Sequence, residues 1–226
     1  MNASNRNEFK EYLLLGMLCI FLVNFVFGVN NDELVMENTE CKLLVVTNRV
    51  LESSYPIASF VNEVEDKDIL RFFDACNTDQ SSIRINEIAL NAFKSEILSK
   101  QGNWLVFVHG DAKTFDEAVL SGCEIRSIYN VNVVVFAWPS KDKIINGYKN
   151  FSTSKKNVEK SIYHFNSLIC FLKQLREENT EFFENNGLSL FLHSLGNLYL
   201  QKMVELNMMP ESPSLILIIL LLMPLQ

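Results

Sequence analysis

Leu188-Ser189-Leu190-Phe191-Leu192-His193-Ser194-Leu195-Gly196-Asn197 carries a serine between two kinds of pattern. Leu188 to Leu192 reads as a buried strand. After the serine, Leu195, Leu198 and Tyr199 fall on one side of a helix. A G-x-S-x-G elbow makes this strand-to-helix turn and projects the serine hydroxyl above the sheet. Gly196 supplies the small residue that the crowded turn wants. Leu192 puts a bulky side chain at the other such position. The segment also suits an ordinary serine in a β-to-α turn or at a helix cap, where serine is common.

Upstream, strand and helix signals alternate. Leu43 to Val46 is a short aliphatic strand leading into Thr47-Asn48-Arg49, and the chain from Leu51 to Asn62 is irregular, with an extended segment or turn at Tyr55-Pro56. Ile85, Ile88, Ala89, Ala92, Phe93 and Ile97 recur at helical spacing and predict one amphipathic helix. Leu105 to Val108 is a second strand. Thr114-Phe115-Asp116-Glu117 has capping-box spacing, ahead of a helix that turns Phe115, Ala118, Val119 and Gly122 inward. Val131 to Trp138 is a third strand, stopped by Pro139. Val158, Ile162, Phe165, Ile169, Leu172 and Leu175 mark a long helix, and Leu215 to Leu222 a last buried strand. This alternation predicts an α/β fold: a mostly parallel sheet with right-handed crossovers and helices on both faces. In such sheets chemistry sits beyond the carboxyl ends of the strands. Phe107-Val108-His109-Gly110 lies there as well as Ser194, and Gly110 lets the backbone approach a ligand closely.

Val45-Val46-Thr47-Asn48-Arg49, Val106-Phe107-Val108-His109-Gly110, Phe136-Ala137-Trp138-Pro139-Ser140 and His193-Ser194-Leu195-Gly196-Asn197 occur in this order. On these residues the chain resembles the α/β-hydrolases of the esterase/lipase superfamily, and within it a bacterial group of uncharacterised function. The resemblance runs from about Val45 to the last residues. It implies Ser194 as the nucleophile, attacking a carboxylic-ester carbonyl to form an acyl-enzyme. It implies the backbone N–H groups of Asp111 and Leu195 as an oxyanion hole, in which each donor is typically worth about 3 kcal/mol. His109, Gly110, His193 and Gly196 then support the loop and elbow, with His193 non-catalytic. Asp111 departs from the pattern, since that group usually carries an aromatic residue after His-Gly.

A serine nucleophile needs a base, and the base needs an orienting carboxylate. In this fold they follow the serine as Asp or Glu and then His. No histidine follows Ser194, and the acids there are Glu205 and Glu211. His109 is the one candidate base at the same end of the sheet, and His164, in the long helix, is expected at a surface or an interface. The expectation is an α/β-hydrolase-like domain without its last strands, C-terminally truncated and with an impaired triad. Its alternatives are a non-catalytic pseudo-hydrolase acting as an envelope binding protein, or a gene fragment.

Arg6 and Lys10 precede an apolar run from Tyr12 to Phe27, and Asn30-Asn31-Asp32-Glu33 follows it. That order fits a secretory signal peptide or a short membrane anchor. Residues 1–28 are therefore expected to be a signal peptide or anchor, 29–42 a linker and 43–226 the incomplete hydrolase domain. An exported or membrane-anchored location follows, with membrane contact through residues 12–27 if they are not cleaved. The net charge of −7 argues against nucleic acid as a partner, because phosphate binding needs a basic surface. The expected partner is a small ester-type substrate, with no cofactor. The cysteines form no C-x-x-C and lie away from histidine at ligand spacing, so no metal site is expected. Cys123 and Cys170 fall within helical patterns and are expected to be small core residues, leaving no disulfide framework to claim.

Overall fold

The computed structural model describes residues 41–53, 58–67, 69–79, 82–141, 147–209 and 218–221. The apolar run from Tyr12 to Phe27, residues 29–40 of the linker, Tyr55-Pro56 and residues 215–217 and 222 lie outside them, while Cys41 and Lys42 of the expected linker belong to the first strand. Nine strands are described: β1 Cys41–Thr47, β2 Arg49–Ser53, β3 Ser59–Val64, β4 Arg71–Asp79, β5 Ser82–Glu87, β6 Trp104–Val108, β7 Asn132–Phe136, β8 Leu188–His193 and β9 Ile218–Leu221. The helices are α1 Leu90–Ser99, α2 Phe115–Tyr129, α3 Gly147–Glu178, α4 Thr180–Asn185 and α5 Asn197–Glu205, with a short 3₁₀ turn, Ser194–Gly196, before α5.

Seven strands form one sheet in the order β5-β4-β1-β7-β6-β8-β9. The pairs from β1 to β9 are parallel, whereas β4 and β5 extend the β1 edge antiparallel. All five strands expected from the sequence thus share a sheet. Successive side chains of a strand face opposite ways, so Leu44, Val46, Val106, Val108, Val134, Phe136, Leu190 and Leu192 enter one core with α1, α3 and α5. Leu43, Val45, Phe107, Val133, Val135 and Phe191 enter the other, beneath α2. That double burial explains the near-continuous apolar runs. The predicted inner faces of α2 and α3 are the buried ones. Thr114 caps α2 through a full capping box.

Several expectations need correction. Within the stretch expected to be irregular, residues 51–53 and 59–62 belong to β2 and β3, which pair antiparallel in a separate sheet. The helix expected from Ile85 begins only at Leu90, because Ile85 belongs to β5 and pairs with Ala75 of β4. Phe93 and Ile97 make up its buried face, and Ala92 is exposed. Cys123 is disulfide-bonded to Cys41, which ties α2 to the start of β1, and Cys170 is exposed rather than core. His164 is buried, its Nε2 2.8 Å from the Lys67 carbonyl oxygen.

Candidate functional site

β8 delivers His193 and Ser194 to the carboxyl end of the sheet, beside the end of β6 that delivers His109 and Gly110. Ser194 has φ +50°. An L-residue held in the left-handed region costs about 1–2 kcal/mol, so the surrounding packing must enforce the conformation. It does so from two sides. The Asn197 Nδ2 donates to the Ser194 carbonyl oxygen at 2.9 Å. The two glycines let the loops interlock. A Cβ on Gly110 would lie 2.9 Å from His193 Nδ1 and 2.9 Å from the Ser194 Cβ, and one on Gly196 would lie 2.9 Å from the carbonyl oxygens of both Val108 and His109. Leu192, the misfit in the elbow pattern, is fully buried in the core below the turn. Its bulk is accommodated on the sheet side, away from the close approach made by Gly196.

The loop after β6 is held by a buried polar lattice. Ser140 donates through Oγ to the Lys113 carbonyl and accepts from the Lys113 N–H, both at 3.1 Å. The Ser140 carbonyl accepts from the Ala112 N–H at 3.1 Å and from Asn150 and Ser154 at 2.8 Å each. Asn150 also donates to the Asp111 carboxylate at 2.9 Å, which fixes that negative charge on α3. Asn157 donates to the Pro139 carbonyl at 3.1 Å. Asn150, Ser154, Asn157 and Ser161 thus form a buried polar row along α3. Their helical spacing was visible in the sequence, but their type reads as surface; the loop carbonyls explain the burial of Asn150, Ser154 and Asn157, and the Asn48 amide, donating to Ser161 Oγ at 2.7 Å, explains that of Ser161.

Arg49 is the second component that the sequence left unassigned. Its guanidinium is buried and donates to the carbonyls of Ala137 at 3.2 Å, Lys113 at 3.0 Å and Trp138 at 2.7 Å. Burial lowers its pKa to about 10, which leaves it charged at neutral pH. Arg49 therefore cross-links the loops after β6 and β7, and it places a positive charge beneath them.

His109 is fully buried and stacks on Trp138 with ring centroids 5.2 Å apart. The Trp138 indole N–H donates to its carbonyl oxygen at 2.8 Å. Its Nδ1 lies 2.8 Å from the Gly110 carbonyl oxygen, a contact that requires the proton on Nδ1. Burial first, then the charge of Arg49, lowers its pKa to about 3. None of its described hydrogen bonds reaches Ser194. His109 is thus built into the loop as a neutral strut. His193 is half-buried, and burial followed by the charge of Lys113 lowers its pKa. Among the described residues there is no group of three or more His, Cys, Asp and Glu able to hold a metal ion.

The buried neutral His109 has a consequence for acid stability. The unfolded chain protonates this imidazole below about pH 6.5, while the folded chain resists until about 3. Its contribution to stability is therefore complete above the unfolded pKa and is lost as the pH falls through that window. Between about pH 7 and about pH 4.5, His109 alone should remove on the order of 2–3 kcal/mol of unfolding free energy. Urea unfolding of the wild type and of His109→Gln at both pH values reads the effect. The variant should lose less stability on acidification, and equal losses would show that His109 does not resist protonation.

No curated protein and no solved structure matches the chain. Residues 86–221 match the family described as "Alpha/beta hydrolase of unknown function (DUF900)". The match takes in β6 to β9, the His109-Gly110 loop and the Ser194 elbow, but leaves β1 and Arg49 outside. With more than half of its residues matched and a mostly parallel sheet flanked by helices, the chain belongs to this α/β-hydrolase family.

Proposed function

We propose that Ser194 is the nucleophile of an ester-type hydrolase site, with the backbone N–H groups of Asp111 and Leu195 as its oxyanion donors. The positive φ of Ser194 on a strand-to-helix turn carries this reading. Such a strained conformation persists only where its surroundings over-determine it, and strained residues cluster at functional sites. A nucleophile elbow uses the strain to expose its hydroxyl. With Asp111 held by Asn150, its carboxylate is tied to α3. That hydrogen bond, from a neutral amide, holds the carboxylate in place without cancelling its charge.

His109 and His164 favour slow chemistry. His109 is locked and hard to protonate, and His164 is bonded to Lys67. A binding role with the site retained is therefore the second reading. We also place the chain in an oxidising compartment, as an exported or anchored protein. The Cys41–Cys123 disulfide supports this, since disulfides persist in such compartments and are rare in the cytosol.

One intact-mass experiment tests these points. After prolonged exposure to a fluorophosphonate, the chain should carry a single adduct that maps to Ser194, forms slowly and is absent in Ser194→Ala. An adduct that survives Ser194→Ala would overturn the assignment of the nucleophile. Before reduction, the same chain should weigh about two hydrogens less than after it, as one disulfide requires. Free thiols at Cys41 and Cys123 in protein isolated from its native cells would remove that support for export.

A further inference from the structure

The first half of α3 presents an outer face unlike the rest of this acidic chain. Tyr148, Lys149, Ser152, Lys155, Lys156, Lys160 and Tyr163 are all exposed on it. Tyr148 is 86% and Tyr163 55% exposed, and fifteen residues of helix set them about 22 Å apart. Lys155 lies over the Phe151 ring, its Nζ 4.8 Å from the centroid. The one acid within the lysine cluster, Glu159, is paired with Lys202 of α5 at 3.7 Å. Lys155, Lys156 and Lys160 make no ion pair with a described residue. In a chain of net charge −7, the cluster of Lys155, Lys156 and Lys160 beside exposed tyrosines is a local inversion of sign.

We propose that this face of α3 docks on an anionic phospholipid surface. Lysines near such a surface each strengthen binding, and the effect falls off within a Debye length. Tyrosine suits the boundary because its ring is apolar and its hydroxyl is wet. The face is a single convex helix without a groove, a shape that fits a broad charged plane better than a peptide. The sequence offers a second reason to look to a bilayer, in the apolar run of residues 12–27. The stretch from 28 to 40 that joins it to β1 could span up to about 45 Å when extended. The docking helix is also linked to the candidate site. Asn150, on the inward side of the same turns, holds Asp111, whose neighbour Gly110 packs on Ser194. The proposal does not depend on whether Ser194 reacts.

Vesicle co-sedimentation of the full chain separates this face from the apolar run. Insertion of the apolar side chains of residues 12–27 contributes to both kinds of vesicle, phosphatidylcholine alone or with phosphatidylglycerol, and any preference due to Arg6 and Lys10 is unchanged by substitutions in α3. At low salt, binding should be about tenfold or more stronger on vesicles containing about 30% phosphatidylglycerol. The preference should collapse to within about twofold in about 0.5 M NaCl, and likewise in the triple variant Lys155→Glu, Lys156→Glu, Lys160→Glu. The corresponding triple Lys→Gln variant should give an intermediate preference, and it keeps the test valid if charge reversal disturbs folding. Equal binding to both vesicles, as a face made for an acidic protein would give, would overturn the proposal. So would a phosphatidylglycerol preference that survives both triple substitutions.

Discussion

Replacing Gly196 by alanine is expected to destabilise the protein by about 2–3 kcal/mol. The backbone at this position has helical angles, φ −57° and ψ −25°, so alanine meets no conformational penalty. The cost is steric. The added Cβ would sit 2.9 Å from the carbonyl oxygens of Val108 and His109 and 3.2 Å from a Val108 methyl. Backbone oxygens at the end of a central strand cannot move aside as a flexible side chain could. Relief must come from pushing the start of α5 away from β6, which opens the contact that holds Ser194 at positive φ. Gly147→Ala is the control, because a Cβ there meets nothing within 4 Å. Urea midpoints should therefore fall sharply for Gly196→Ala and stay close to wild type for Gly147→Ala. Similar midpoints for both would mean that the elbow and the His109 loop are not in the close contact described.

The same contact explains why the elbow could be read from sequence. Gly196 and Gly110 are small because two backbones meet there, and each lies next to the residue that the meeting serves. The parallel half of the sheet was legible for a related reason. Val106, Val134 and Leu190 belong to strands buried on both faces, which leaves long apolar runs that nothing else resembles. The antiparallel half was missed because its strands are half-exposed. Ile83-Arg84-Ile85-Asn86 does alternate apolar and polar, the signature of an edge strand, but Ile85 and Ile88 also fit a helical spacing that continues to Phe93. In β4, Asp74 and Asn77 weaken the strand signal, and pairing to both β1 and β5 overrides it.

Arg49, Asn150, Ser154 and Asn157 were illegible as site residues for a different reason. Each is defined by a carbonyl oxygen on a distant loop, at sequence separations between 10 and 89 for the bonds to Ser140, Pro139, Ala137 and Trp138. Composition marks such side chains as surface polar groups. Only the assembled fold shows that they satisfy the strand-end loops, which would otherwise bury unpaired carbonyls. The disulfide is similar. Cys41 and Cys123 are 82 residues apart, and no spacing rule joins them.

The central proposal is that Ser194 is the nucleophile and that neither His109 nor His164 is placed to take its proton. An unassisted hydroxyl is a weak nucleophile at neutral pH. His109, the candidate base expected from the sequence, is stacked on Trp138, bonded to Gly110 and has its pKa near 3. Steady-state hydrolysis of short acyl esters by the purified full chain is the most direct test. Turnover near background is expected, or a trace rate of the kind an oxyanion hole alone can sustain, unchanged in His109→Gln. Robust turnover abolished by Ser194→Ala and also by His109→Gln would contradict it, because it would show that His109 leaves its buried strut position and serves as the base.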